Sequence, residues 1–256
     1  MKKKPDSVPN PETVAQQARS EYGSPMDILF DLPAPDFGEK WPDYVALALP
    51  REGAPELQKL ACDCRFDESE TLWAAPIHAM RVLSTWGDPS FLPPLFQTFA
   101  AREDHDLFHE DISKIIAHLG PQALETVKNQ LDVVDKEHFP HLADALVKIA
   151  QNSRPHRDQI VEIFRDRLEQ FAKNDHDWNA FLIGNLIDLA AGELLPLIEK
   201  AIRAGKVDTR ICGDMEEIRA EFGLAAPRDN FVDFLSIKTD KGVLPPFKSP
   251  FKKPPQ

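Results

Sequence analysis

Four corners recur along the chain at nearly constant spacing. Gly53-Ala54-Pro55, Gly87-Asp88-Pro89, Gly120-Pro121 and Arg154-Pro155 place their prolines 34, 32 and 34 residues apart. An apolar stripe of helical period stops at each corner and another restarts after it, which chance spacing of prolines would not produce. Leu107, Phe108, Ile112, Ile115, Ile116 and Leu119 end at Gly120, and Ala123, Leu124, Val127 and Leu131 take over. A fifth corner, without proline, falls at Ala190-Ala191-Gly192. A repeat of this length built from two apolar stripes means stacked helical hairpins, because one hairpin cannot bury its stripe alone.

The pairs follow one logic. Leu142, Ala145, Leu146 and Ile149 line one helix, and Ile160, Phe164, Leu168 and Phe171 line its partner. Residues 178–189 precede a helix carrying Leu194, Ile198 and Ile202. Asp214 and Glu217 have the spacing of a capping box, so a last helix is expected there, stopped by Gly223. Ahead of the first corner, Ser24-Pro25 predicts an N-cap and a short helix through Phe30. Trp41-Pro42-Asp43 predicts a further helix carrying Tyr44, Val45, Leu47 and Leu49. Residues 1–24 are polar and proline-punctuated, and the expectation is a mostly disordered segment with a short helix near Val14 to Ala18. Residues 225–256 read as an extended tail rich in proline and lysine. The expected domain is therefore 25–224, all-α, with disordered or extended termini.

Charge narrows the partners. The chain carries −12 overall, yet Lys2, Lys3 and Lys4 contribute +3 and residues 237–256 contribute +4, which leaves −19 on residues 5–236. A body this acidic repels phosphate backbones, so nucleic acid is disfavoured as a partner. Cys62, Cys64 and Cys212 make an odd set with no disulfide framework. No run approaches the roughly 20 apolar residues that span a bilayer, and Met1-Lys2-Lys3-Lys4-Pro5 leads into polar sequence. A reduced, cytoplasmic protein without a membrane anchor is expected.

With the corners placed, the stretch His118-Leu119-Gly120-Pro121-Gln122-Ala123-Leu124-Glu125-Thr126-Val127 resembles the helix–Gly–helix corner of the HEAT-like repeats named after phycobiliprotein lyases. That family's usual Val-Arg pair early in the first helix is replaced by Ile112-Ser113. Two further stretches are similar to an uncharacterised bacterial group of such repeats. They are Trp73-Ala74-Ala75-Pro76-Ile77-His78-Ala79-Met80-Arg81-Val82-Leu83 and Ile211-Cys212-Gly213-Asp214-Met215-Glu216-Glu217-Ile218. The likeness covers about residues 41–224 and implies a HEAT-like α-solenoid. It implies no reaction, since fold-level analogy does not carry function. Some members of that group end in a cysteine-rich zinc motif, and this tail contains no cysteine.

His105 and His109, four apart among carboxylates, share a helix face and could begin a zinc site, but histidines at that spacing need a second ligand pair. The blander reading makes Asp106 and Asp177 helix N-caps with acids at the positive helix end. His138 and His141 read the same way. Cys62-Asp63-Cys64 lacks two further soft ligands. No Gly-x-Ser-x-Gly, phosphate loop or dinucleotide fingerprint occurs. The expectation is no catalytic residue, no cofactor and no metal.

Trp73, His78 and Arg81 share one helix and would form a binding hot spot if exposed on a groove wall. Packed in the stack, Arg81 would instead pair with a neighbouring acid. In the tail, Phe247, Lys248, Phe251, Lys252 and Lys253 combine polyproline character with apolar and cationic groups suited to recognition. The function expected is a non-catalytic scaffold that holds a partner protein on an acidic α-solenoid surface. The alternative is an enzyme on the same fold, bilin-lyase-like or DNA-glycosylase-like; the glycosylase would need a basic groove.

Overall fold

A computed structural model of the chain describes residues 10–35, 41–102, 105–135 and 138–224. The described residues are helical throughout and contain no strand. In order, the helices are α1 (Pro11–Arg19), α2 (Ala54–Ala61), α3 (Ala74–Thr85), α4 (Leu92–Phe96), α5 (Asp106–Leu119) and α6 (Leu124–Gln130). There follow α7 (Phe139–Asn152), α8 (Arg157–Leu168), α9 (His176–Asp188), α10 (Leu195–Arg203), α11 (Thr209–Cys212) and α12 (Met215–Glu221). None is long and apolar enough to cross a membrane.

The corners fall where the apolar stripes break. α5 ends because Gly120 takes φ +67°, a conformation costly for any residue with a Cβ, and its N–H closes onto the Ile116 carbonyl. Gly87 (φ +74°) does the same after α3. A short 3₁₀ turn at each corner then leads into the next helix, as Gly120–Ala123 leads into α6 and Arg154–His156 into α8. α12 opens with the expected capping box: the Asp214 carboxylate accepts from the N–H groups of Glu216 and Glu217, and Glu217 returns a bond to the Asp214 N–H.

The first helices of successive hairpins pack side by side: α3 on α5, α5 on α7, α7 on α9. On the other side α4 packs on α6, and α8 on α10. One continuous core runs between them, including Leu83, Phe108, Ile112, Ile116, Leu146, Phe164 and Leu186. The buried Asn179 side chain donates to the Phe171 carbonyl at 2.9 Å and the Lys206 carbonyl at 2.7 Å, tying two loops across the later hairpins.

The N-terminal expectation is corrected. Residues 10–24 are not disordered, because α1 forms with Asn10 capping Glu12 and packs on the core through Ala15 and Ala18. Tyr22 and Phe30 close a ring cluster with Phe66, centroids 5.2–6.1 Å apart. The helix expected to start at Ser24-Pro25 is a 3₁₀ turn, Met26–Asp31, with no side-chain cap. The helix expected from Trp41 shrinks to the 3₁₀ turn Tyr44–Leu47, since Ala48 turns left-handed (φ 50°) directly after it. Both turns lie across α3, which is why α3 is buried on every side from Ala74 to Ser84. Two predicted caps also move. α5 is capped by the His105 ring, which accepts from the Phe108 N–H, and the α9 cap position is Asp175, so neither Asp106 nor Asp177 is the cap.

Candidate functional site

Where the two N-terminal turns cross α3, a chain of polar side chains runs through the core. His78 sits mid-helix, with its Nε2 3.0 Å from the Pro33 carbonyl and its Nδ1 2.7 Å from the Tyr44 hydroxyl. A carbonyl only accepts, so Nε2 carries the proton and the Tyr44 hydroxyl donates to Nδ1. Burial holds the ring neutral and pushes its pKa down to about 4, and burial likewise pushes the Tyr44 phenol up to about 12.

One turn further along α3, Arg81 reaches α5. Its Nε donates to Asp111 Oδ2 at 2.8 Å and its Nη2 to Oδ1 at 2.6 Å, with both side chains fully buried. Burial works against the guanidinium charge, but the two-pronged bond to the Asp111 carboxylate outweighs it and raises the Arg81 pKa. The half-buried Trp41 ring covers the pair, 4.9 Å from the guanidinium carbon, and packs in turn against the exposed His118 at 5.1 Å.

These residues hold a repeating register. Tyr44, His78, Asp111 and Asp144 follow one another at 34, 33 and 33 residues, and Arg81, Lys114 and Lys148 at 33 and 34. At two seams this register carries a bond between neighbouring hairpins, the first being Arg81 to Asp111 between α3 and α5. At the α5–α7 seam, Lys148 donates to Ser113 at 2.8 Å and to Asp144 at 2.5 Å. Further along the row, Asp144 and Glu221 bear on Asp188 at the end of α9. Asp188 is exposed to water yet flanked by enough protein that desolvation, helped by the two neighbouring carboxylates, pushes it up to about 6.

The predicted site residues are thus only partly brought together. His78 and Arg81 belong to one polar chain, but both are fully buried, so neither offers the exposed hot spot anticipated for it. Trp73 lies half-buried at the start of α3, outside that chain. Phe247, Lys248, Phe251, Lys252 and Lys253 lie outside the described residues. Trp41, Tyr44 and Asp111 were missed. The signal that finds Tyr44 and Asp111 is the repeat position they share with His78, visible once the corners fix the register.

The three cysteines are free thiols, and burial raises the pKa of each, that of Cys212 to about 12. Among the described residues no three His, Cys, Asp or Glu side chains are disposed to hold a metal as they stand.

Comparison with known families decides the placement. The sequence model of a family described as a protein of unknown function, DUF1186, matches residues 71–238, well over half of the chain. The chain belongs to the DUF1186 family. The DUF1186 match opens just before α3, so it takes in His78, Arg81 and Asp111 but not Trp41 or Tyr44. No curated protein and no solved structure matches the chain.

Proposed function

We propose that this DUF1186 protein is a non-catalytic interaction scaffold: a HEAT-like α-solenoid whose open first-helix face, from α7 to α12, binds a basic segment of a partner protein. The observation that carries the reading is the side-by-side succession of α3, α5, α7 and α9, with polar bonds at the α3–α5 and α5–α7 seams. A stack of this kind displays an extended surface that can vary without disturbing the core. Arginines staple the corners of adjacent units in the same way: Arg51 donates to the Trp86 carbonyl, and Arg157 to the carbonyls of Leu189 and Ala190.

Along the open face Asp144, Asp188 and Glu221 come from three helices, and Lys148 pairs with Asp144. A cationic ligand there would offset the desolvation that raises Asp188 and the smaller repulsion from its two neighbouring carboxylates. Groups that chemistry would call upon are already engaged elsewhere: His78 is held between Tyr44 and Pro33, and Arg81 is spent on Asp111.

The test is calorimetric titration of the full chain with a lysine-rich peptide at low and moderate salt, beside the triple variant Asp144→Asn, Asp188→Asn, Glu221→Gln. Binding that weakens with salt and falls at least about tenfold in the variant supports the reading. Equal binding by both proteins would refute it.

A further inference from the structure

The last hairpin is the least covered part of the stack. α5 buries its whole stripe, Phe108, Ile112, Ile115, Ile116 and Leu119. α12 carries a stripe of the same kind, with Met215, Ile218 and Phe222 at i, i+3 and i+7, yet only Ile218 is buried and the other two stay half-exposed. The helix is firmly placed, since Arg219 pairs with Glu199 of α10 at 3.4 Å and the Phe222 ring rests against the Gly192 corner. Ile211 ahead of α12 and Leu224 after it are exposed outright, at 38% and 65%. The end of a helical stack needs a cap with a polar outer face, and among the described residues no element follows α12.

The chain leaves α12 through a fixed turn. The Gly223 N–H donates to the Ala220 carbonyl and the Leu224 N–H to the Arg219 carbonyl, both at 2.8 Å, with Gly223 at φ +73°. In this Schellman pairing the apolar residue after the glycine often seats against the helix, whereas Leu224 is left in water. The DUF1186 match does not stop there but runs on to residue 238. It takes in Phe231, Val232, Phe234, Leu235 and Ile237, and ends before the proline- and lysine-rich stretch. Phe231, Phe234 and Leu235 have the i, i+3, i+4 spacing that gathers apolar groups on one face. The unit shared by the family is therefore longer than the helices that end before Leu224.

We propose that residues 225–238, which lie outside the described residues, cap the stack in the same chain, seating Phe231, Phe234 and Leu235 on the surface left open at Met215, Phe222 and Leu224. The connection is long enough. From Leu224 to Phe231 the chain spans at most about 25 Å, and α12 is only about 10 Å long, so the segment reaches any part of that surface. A tether this short holds the segment at an effective concentration on the order of millimolar, which favours this chain's own segment over a second copy. Charge does not oppose the contact, because Arg228 and Lys238 balance Asp229 and Asp233 and the segment brings no net charge to the acidic body.

The test is hydrogen exchange of the full chain, read segment by segment by mass spectrometry and corrected for intrinsic rates. Residues 231–237 should exchange at least about tenfold more slowly than residues 245–256 of the same chain. In the double variant Phe231→Ser, Phe234→Ser, α12 should exchange at least about tenfold faster than in the native chain, while α5 keeps its protection. Equally fast exchange of residues 231–237 and 245–256 in the native chain overturns the proposal whether or not the variant folds. Unchanged protection of α12 in the variant overturns it as well. Protection that rises with protein concentration, alongside a dimer in sedimentation, overturns it by placing the segment on a second copy.

Discussion

α3 and α9 are each the first helix of a hairpin, but water treats them differently. α3 is buried on every side from Ala74 to Ser84, whereas α9 buries only Asn179, Ala180, Leu182, Ile183 and Leu186. What differs is the cover. Two turns of the N-terminal segment lie across α3, whereas the short α11 packs on α9 and still leaves most of its residues at least partly exposed. Charged groups at the covered end must therefore be held against an opposite charge, as Arg81 is by Asp111. Those at the open end, such as Asp144, Lys148 and Asp188, keep much of their hydration and can afford incomplete pairing. One repeat register thus serves two purposes, specifying the packing at one end and presenting charge at the other.

The largest break in this contrast is expected at Arg81. Replacing it with Met leaves the Asp111 carboxylate buried without its partner, at a cost of about 3–5 kcal/mol in urea unfolding. Adding Asp111→Leu should recover most of that loss, since an apolar pair of similar volume needs no counter-charge. Next comes the cover itself. Leu29 is 1% exposed beneath the N-terminal turn, so Leu29→Ala should cost about 2–5 kcal/mol; a value below about 1 would mean the segment is only loosely attached. Tyr44→Phe removes the donor to His78 Nδ1 and should cost about 1–3 kcal/mol, measured the same way.

Acid sharpens the comparison. His78 takes up its proton near pH 6.5 when unfolded but only near 4 when folded. Between those values the unfolded chain binds more protons, so stability falls as pH drops from 6.5 towards 4. His78→Gln should flatten that slope in a melting series across the window; an unchanged slope would show that His78 is not the group responsible. The smallest effect belongs to the open end, where Lys148→Ala should cost less than about 1 kcal/mol because water replaces the lost partner.

The sequence displayed the hairpins because period and punctuation are local: the α5 stripe, Gly120 and the Asp214 capping box are each contained within one helix and its ends. The N-terminal segment was legible only as the short helix near Val14 to Ala18, because its contacts are made by two alanines and a few scattered aromatics, too sparse for a stripe. The turn at Tyr44–Leu47 looked helical because Tyr44, Val45 and Leu47 satisfy the period, although Val45 is 76% exposed and Ala48 ends the turn. The polar chain was half legible. Arg81 could be expected to find an acid, but which one depended on α5 lying beside α3, a fact of packing 30 residues away.

The account turns on one claim, that a charge pair under cover couples more strongly than one that keeps its hydration. Two double-mutant cycles on the full chain test it most directly, one on Arg81 and Asp111, the other on Lys148 and Asp144. The predicted coupling energies are about 3 kcal/mol for the covered pair and less than about 1 for the open one. Equal couplings would contradict the account.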